Sequence, residues 1–267
     1  MLAELVKQIG RLRTRIGLGA MVLVPGLMAT AFRLGGGPEN RRPREPLDFF
    51  GFATHSGLNF AIVALLAMSN FFLVVVVTLF AGETVAGEAT WGSLRYVLLR
   101  PVSRGRLLAW KLGVTVLLSI AATAVVSLSG LGFGTAFFGW HPITTPLGSF
   151  AIGAALGKLA VGTAYVAWSM MGVVAIAFFI STTTDAVIGP VGGAVCLAVV
   201  SEILDQINAL GNFRLWLPTH YWQAWTGLFA SPVEGHDMWR GVWLQIPYIL
   251  IATIAAWRWF QHKDIVS

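Results

Sequence analysis

Two long runs without a charged residue, at 49–82 and 112–157, restrict the folds open to this chain. Each run exceeds the roughly 20 apolar residues that an α-helix needs to cross a hydrocarbon core of about 30 Å. The segment between them, 83–106, holds two glutamates and four arginines. Because a charged side chain at the centre of a bilayer costs several kcal/mol, we expect this charged insert to lie at a membrane face.

The composition also indicates a membrane protein. Hydrophobic residues make up 56% of the chain and charged residues 11%, whereas soluble domains are about 25% charged. We therefore predict an all-α integral membrane protein, with residues 1–267 forming one transmembrane domain. Its six predicted spans are Ile16–Phe32, Phe60–Gly82, Leu112–Gly132, Gly162–Ile180, Ala186–Leu204 and Val242–Trp259.

An amphipathic helix is predicted over residues 1–15, before the first span. Its apolar residues recur at helical spacing, and its polar residues fall mostly on the other side. We expect this helix to lie in the headgroup plane with its basic face toward anionic lipid, as an anchor or as an elbow that transmits force into the first span. The apolar set is Leu2, Leu5, Val6, Ile9 and Leu12, and the polar set is Glu4, Lys7, Gln8, Arg11 and Arg15.

The distribution of Lys and Arg predicts that both termini are cytoplasmic. With the N-terminus inside, eleven basic residues lie on the cytoplasmic side and seven on the outer side. This orientation also makes the insert at 83–106 cytoplasmic, in a multi-pass protein of the plasma membrane. The cytoplasmic set is Lys7, Arg11, Arg13, Arg15, Arg95, Arg100, Arg104, Arg106, Lys111, Arg258 and Lys263.

On the outer side, the Trp-rich segment 205–241 is expected to lie on or dip into the outer leaflet, because Trp favours the headgroup level. Thr219 is expected to cap a short helix there that presents Trp222, Trp225 and Phe229 on one face. An aromatic belt is favoured over a substrate-binding ledge. The outer connection 139–146 is predicted to be a turn, followed by a short interfacial helix over 150–157.

Residues that could carry chemistry are sparse. The five histidines include no pair at i, i+3 or i+4, so the sequence predicts no metal site and no cofactor bound by this chain. Cys196 falls inside the fifth span and is expected to be a small buried apolar residue. Glu202 and Asp205 stand at the outer end of a span, where they favour a structural pair with Arg214. The alternative is a proton-coupled secondary transporter that uses these two acids.

The insert at 83–106 has an ordered pattern that resembles the loop after the second span of type-2 ATP-binding-cassette (ABC) transporter permeases. Glu83 and Glu88 come first, and Lys111 follows the pattern. Between them stand Gly92-Ser93-Leu94-Arg95 and Leu98-Leu99-Arg100-Pro101-Val102-Ser103-Arg104. The similarity extends to Ser181-Thr182-Thr183-Thr184-Asp185, Leu217-Pro218-Thr219-His220-Tyr221 and Lys263-Asp264-Ile265.

This resemblance implies a permease subunit of an ABC exporter, without a nucleotide-binding site of its own and therefore not itself an enzyme. It would pair with a second copy or a sister permease, and two ATPase subunits on other chains would bind ATP and Mg²⁺. The loop after the second span would form a coupling helix that docks on the ATPase. The residues implied in coupling are Glu83, Glu88, Gly92, Leu94, Arg95, Leu98, Arg100, Pro101 and Arg104.

Physical reasoning favours the same docking role. Leu94 and Leu98 would form an apolar edge on a helix that Pro101 ends, and Ser103 can cap the next helix. Arg104 and Arg106 would then lie in a first turn, where the helix dipole disfavours cations. Partner carboxylates or anionic lipid headgroups would explain them equally well.

Glu83 and Glu88 are expected to bind basic residues such as Arg95 or those of the N-terminal helix. The near absence of charge in the spans favours an apolar or amphipathic cargo, such as a drug or a lipid. A membrane-embedded enzyme or an assembly scaffold is a further, less favoured alternative.

Overall fold

The computed structural model of the chain describes residues 2–35, 49–90, 103–145, 148–230 and 232–262. These residues form α-helices, two short strands and two 3₁₀ helices. The elements are α1 (Leu2–Gly10), α2 (Leu12–Leu34), α3 (Phe49–His55), α4 (Gly57–Asn70), α5 (Phe72–Thr90), α6 (Arg104–Phe138), β1 (Ile143–Thr145), β2 (Gly148–Phe150), α7 (Ile152–Thr183), α8 (Ile188–Asp205), the 3₁₀ helices Asn208–Trp216 and Ala224–Phe229, and α9 (His236–His262).

Five helices of the described ranges are long and apolar enough to cross a membrane: α2, α5, α6, α7 and α8. The prediction of a helical protein with several membrane-length helices is therefore confirmed. The helix α9 has 27 residues but lies outside this set. Its sequence carries Gln245, Pro247 and Arg258, which lower its mean hydropathy. The sixth span stays a prediction.

One end of the helix bundle is marked by α1, and we call it the α1 end. The Ser181 hydroxyl, near the end of α7, accepts a hydrogen bond from the backbone N–H of Val85 in α5 at 3.2 Å. Gly105, at the start of α6, lies against the ring of Trp257 near the end of α9. The last turns of α5, α7 and α9 and the first turns of α6 therefore lie at the same end.

The other end of the bundle is defined by equally close contacts. Gly57 at the start of α4 crosses Gly134 near the end of α6, where a Cβ on Gly134 would stand 2.5 Å from the Gly57 carbonyl oxygen. The Tyr165 hydroxyl of α7 donates to the Tyr221 carbonyl oxygen at 2.7 Å. The helices α4 and α5 thus run toward the α1 end, and the long helices from α5 onward alternate in direction.

The helices differ in how much of their surface the chain itself covers. Most of α5 and α7 is buried, whereas only a small part of α2 and α8 is buried. Cys196 in α8 is exposed, so the expectation of a buried thiol is wrong. A membrane helix needs no protein partner on a lipid-facing side, and α8 presents small and apolar residues there. The core of the bundle is therefore the pair α5 and α7, with α6 and α9 packed along them.

The second predicted span is not one continuous helix. It divides into α4 and α5 at Phe71, whose φ of −135° and ψ of −58° lie outside the α-helical range. No Gly or Pro stands at this position. The two helices together run from Gly57 to Thr90, well beyond the predicted Phe60–Gly82.

The connections at the end away from α1 differ from the prediction. The segment expected to be only a turn contains β1, which pairs with β2 as an antiparallel ladder. The expected interfacial helix over 150–157 is wrong, because α7 continues unbroken from Ile152. The Thr219 hydroxyl bonds to Ser201 at 2.7 Å and caps no helix, and Gln223 occupies the N-cap of the 3₁₀ helix at 224–229.

The aromatic residues of the segment 205–241, which was predicted to lie on the outer side, fall into two groups. Trp222, Trp225 and Phe229, which were predicted to share a face, are all buried against the protein. Trp216 and Trp239 are exposed. Only the exposed group is placed to act as an aromatic belt.

Candidate functional site

The polar face of α1 lies against the protein. Gln8 is buried, whereas Val6 and Ile9 on the apolar face are exposed. Lys7 and Glu4 both reach side chains of α5 or α6. Part of the basic face that was expected to bind lipid headgroups therefore pairs with carboxylates of the same chain, and lipid binding stays a prediction.

Lys111 is the centre of a buried group of charges. Its side chain is fully buried, and its ammonium nitrogen has three acceptors. They are Glu88 Oε1 at 2.8 Å, Glu4 Oε1 at 3.0 Å and the Thr84 carbonyl oxygen at 3.0 Å. A lysine ammonium has three N–H donors, so each of them has a partner.

Glu88 connects α5 to both neighbouring elements. Its carboxylate binds Lys111 of α6 and also Lys7 of α1, at 2.5 Å. Glu83, one and a half turns earlier, binds Arg13 at 2.7 Å and lies 3.9 Å from Arg11. The prediction that these glutamates bind the N-terminal helical segment is confirmed. The other expected partner, Arg95, lies outside the described residues.

We call this set the ionic cluster: Glu4, Lys7, Arg11, Arg13, Glu83, Glu88 and Lys111. It holds four cations and three carboxylates. Desolvating any one of these charges costs several kcal/mol, which the opposite charges and hydrogen bonds around it offset. The cluster therefore stabilises one arrangement of α1, α5 and α6. A cleft of about 350 Å³ opens beside Arg11 and Glu83.

Hydroxyl groups beside the ionic cluster form further hydrogen bonds between α5 and its neighbours. The Thr84 and Thr115 hydroxyls lie 2.9 Å apart, and Gln8 donates to Thr84 at 3.3 Å. On the far side of α5, Ser181 donates to the Gly82 carbonyl oxygen at 2.8 Å. The last turn of α7 is thus packed on the last turns of α5.

The structure describes only some of the residues that were predicted to couple to an ATPase. Glu83 and Glu88 belong to the ionic cluster. Arg104 is exposed at the start of α6 and donates to the Gln261 carbonyl oxygen at 3.4 Å. Ser103 occupies the N-cap of α6 without a side-chain capping bond. Gly92, Leu94, Arg95, Leu98, Arg100 and Pro101 lie outside the described residues.

Sequence reasoning did not identify Glu4, Lys7 and Lys111 as partners of one another. The contacts between them and Glu88 span up to 107 residues of sequence. The sequence holds a weak indication that Lys111 is buried. It stands one helical turn before Thr115, at the start of a row of hydroxyl residues on one side of α6 that contains no other charge.

The second candidate site lies at the other end of α8. Asp205 accepts a hydrogen bond from His220 and stands 3.6 Å from the Arg214 guanidinium. This confirms the expected pair with Arg214. Glu202 forms no ion pair within the part of the chain that the structure describes. In the same ranges, no group of three or more His, Cys, Asp or Glu residues is placed to hold a metal ion.

The family described as "Protein of unknown function (DUF2705)" matches residues 45–266. The chain belongs to this family. The matched region of this DUF2705 protein includes Glu83, Glu88 and Lys111, whereas their partners in α1 precede it. No curated protein matches the chain.

Proposed function

We propose that this protein is the permease subunit of an ABC exporter that moves an apolar or amphipathic substrate. Six membrane spans, α9 included, place both termini in the cytoplasm of a plasma-membrane protein. Two ATPase subunits on other chains bind ATP and Mg²⁺, and a second permease copy or a sister permease completes the complex. The coupling element lies within the segment 83–106.

The ionic cluster is the observation that carries this proposal. It joins α1 to the last turns of α5 and the first turns of α6, the two helices between which the segment 91–102 runs. A coupling element transmits force only when its base is rigid. Breaking one buried ion pair costs about 3–5 kcal/mol, so this base holds its shape under load.

The position of the cluster along the helices also supports the proposal. The helix α6 has 35 residues, or about 52 Å at 1.5 Å per residue. This exceeds a hydrocarbon core of about 30 Å, so the turns before Lys111 can project from the membrane. Arg104 and Arg106 are exposed in these turns, where a soluble partner can reach them.

The mechanism follows from this geometry. ATP binding closes the two partner ATPases, which draw the coupling segments toward each other. Because α1, α5 and α6 are joined by the ionic cluster, they move together with the segment. An outward path then opens between the two permeases, and ATP hydrolysis resets it.

A purification experiment tests the proposal. The tagged full-length chain is isolated from its native membrane in mild detergent, and vanadate-sensitive ATPase activity is measured in the eluate. The variants are Leu98→Asp and Arg100→Glu. Arg240→Glu in α9 is the matched control, because Arg240 is exposed at the opposite end of the bundle.

We expect ATPase activity to elute with the wild type and the control, and to fall by about tenfold with either variant, the effect of losing roughly 1.4 kcal/mol of binding. Equal activity in all four preparations, or none in any, would contradict the proposal. Substrate movement by the purified chain in a proton gradient without ATP would favour the proton-coupled alternative instead.

A further inference from the structure

The cleft beside the ionic cluster has a volume of about 350 Å³. Its lining comes from the start of α2, the last turns of α5 and the residue that precedes α8. All three helices are of membrane length, so a cleft at their ends lies at a membrane face rather than at its centre. The lining residues are Arg11, Leu12, Arg13, Glu83, Gly87 and Val187.

The cleft carries an excess of positive charge. The Arg13 guanidinium donates to the Glu83 carboxylate at 2.7 Å, and Arg11 donates to the Glu83 carbonyl oxygen at 3.0 Å. A guanidinium has five N–H donors, and within the described residues each arginine uses one of them on Glu83. Two guanidiniums and one carboxylate leave one positive charge, which the single negative charge of a phosphodiester would balance.

The local stability of α2 does not explain these arginines. Arg11 is the N-cap residue of α2 and makes no capping bond with its side chain, and the first turn holds no acidic residue. Arg13 lies in that turn, where the helix dipole disfavours cations. An anion between the two guanidiniums would offset their mutual repulsion and the unfavourable dipole. Guanidinium groups bind phosphate with paired hydrogen bonds.

An apolar row on α5 leads away from the cleft. Within residues 73–88, all side chains of α5 are buried except Val75 and Leu79, which are partly exposed. Leu79 lies four residues before Glu83, and Val75 lies four residues before Leu79. Residues four apart in a helix lie on the same face. The two uncovered residues therefore continue the line of the cleft along α5.

The helices α2 and α8 border this row. A Cβ on Gly17 of α2 would stand 3.3 Å from Val76, which is displaced from the row by about 100° around α5. A Cβ on Gly82 of α5 would stand 2.9 Å from Val191 of α8, and Gly82 is displaced from Leu79 by about 60° in the other direction. The row is thus the floor of a groove between α2 and α8.

Apolar side chains also surround the entrance to the cleft. Leu12, Ile16 and Ile188 are all mostly exposed. A soluble anion would balance the charge but would leave these side chains and the groove uncovered. A phospholipid covers both surfaces, because its phosphate is joined to acyl chains. Basic pockets between membrane helices are known sites for anionic lipid headgroups. A zwitterionic headgroup would bring an added cation and cancel the charge match.

We infer that this cleft binds the phosphate of an anionic phospholipid, with one acyl chain in the groove along Leu79 and Val75. Arg11 and Arg13 hold the phosphate. Gly87 leaves the space for it, since a Cβ there would enter the cleft 3.5 Å from the Arg11 guanidinium. This is a defined site for one lipid per chain, beyond a general attraction of basic residues to the headgroup plane. It does not depend on the proposed ATPase partner.

Native mass spectrometry of the purified, delipidated full-length chain tests the site. The protein is titrated in detergent with dioleoylphosphatidylglycerol, and with dioleoylphosphatidylcholine as the zwitterionic comparison. Glycerol 3-phosphate, a soluble anion without acyl chains, is the competitor. The variants are Arg13→Gln, which removes donors, Gly87→Leu, which fills the cleft without changing its charge, and Leu79→Gln, which makes the groove polar. Retention of the wild-type elution volume is the test of folding.

Two variants are matched controls. Arg33 is an exposed arginine in the last turn of α2, at the opposite end of the same helix. Gly153 is exposed at the start of α7, and a Cβ there would meet no atom within 4 Å. Arg33→Gln and Gly153→Leu should therefore bind the lipid as the wild type does.

We expect one phosphatidylglycerol per chain in the wild type and both controls. The affinity should be about tenfold lower in the three site variants and for phosphatidylcholine. Glycerol 3-phosphate should not displace the lipid, because it cannot occupy the groove. Unchanged affinity in any folded site variant, or equal affinity for the two lipids, would overturn the site as described. Displacement by glycerol 3-phosphate would show a site for soluble anions and would also overturn the inference. Because the three variants alter the site in different ways, one that fails to fold leaves the others as the test.

Discussion

Lys111 and Glu88 lie 2.8 Å apart between ammonium nitrogen and carboxylate oxygen, and both side chains are almost fully shielded from solvent. They come from α6 and α5, the two helices on either side of the segment 91–102. Burying two charges is unfavourable unless both are well paired. The arrangement therefore ties the geometry of this helix pair to the presence of α1, which supplies Glu4 and Lys7.

Replacing Lys111 with Met should strongly destabilise the protein. The substitution leaves Glu88 and Glu4 buried with fewer partners, which costs about 3–5 kcal/mol. Thermal unfolding of the purified protein in detergent measures this loss. Arg106→Met, one and a half turns earlier on an exposed side of α6, should change stability by no more than about 0.5 kcal/mol.

A double variant checks the origin of the effect. Lys111→Met combined with Glu88→Leu should recover part of the lost stability, because neither buried charge then remains. Additive losses in the double variant would show that the two residues do not stabilise each other.

Helix length and apolar content could be predicted from the sequence, because the hydrophobic runs are long and the charges fall at their ends. The contacts that the charged side chains make could not be predicted from the sequence. A basic face on α1 suits lipid headgroups and protein carboxylates equally, and periodicity identifies a face without identifying its partner. Only the packing of α5 beside α1 and the start of α2 selects Glu88 as the partner of Lys7 and Glu83 as the partner of Arg13.

The break at Phe71 was also beyond sequence reasoning. Kinks usually occur at Pro or at Gly/Ser pairs, and the run around Phe71 has neither at the break. The contact beside the break, from Gln223 to Asn70, joins residues far apart in sequence, and local pattern does not reveal such contacts. By contrast, the Arg214–Asp205 pair was predictable because Arg214 follows the end of α8 by only a few residues.

The crossing of α4 and α6 should tolerate no side chain at Gly134. A Cβ there would stand 2.5 Å from the Gly57 carbonyl oxygen, and neither backbone can move alone. We expect Gly134→Ala to destabilise the protein by about 1–3 kcal/mol. Thermal unfolding of the variant and the wild type in the same detergent measures this loss of stability.

Gly132→Ala is the matched control for this crossing. It lies half a turn away on α6, and a Cβ there would meet no atom within 4 Å. Since Ala favours a helix over Gly by about 1 kcal/mol, this variant should be neutral or slightly stabilised. Equal losses in both variants would exclude a tight crossing.

Cysteine labelling should report how α8 sits in the membrane. Cys196 is exposed on a helix of membrane length, so lipid should protect it from a membrane-impermeant maleimide until the bilayer is dissolved. Val233 is exposed just before α9, and in a Cys196→Ser background Val233→Cys should be labelled in intact cells. Arg106→Cys should be labelled only in opened membranes. The reverse pattern would invert the proposed orientation.

The Tyr165 hydroxyl should hold the outer segment against α7. It donates to the Tyr221 carbonyl oxygen at 2.7 Å, in a region where the ring of Tyr165 is buried. Tyr165→Phe removes this donor and leaves the acceptor without it, at a cost of about 1 kcal/mol. Hydrogen exchange of residues 217–229 should become faster.

Tyr221→Phe keeps the backbone acceptor and the ring contact with His220, so exchange should match the wild type. If both variants exchanged at the wild-type rate, the buried Trp222 and Trp225 rings rather than this hydrogen bond would anchor the segment.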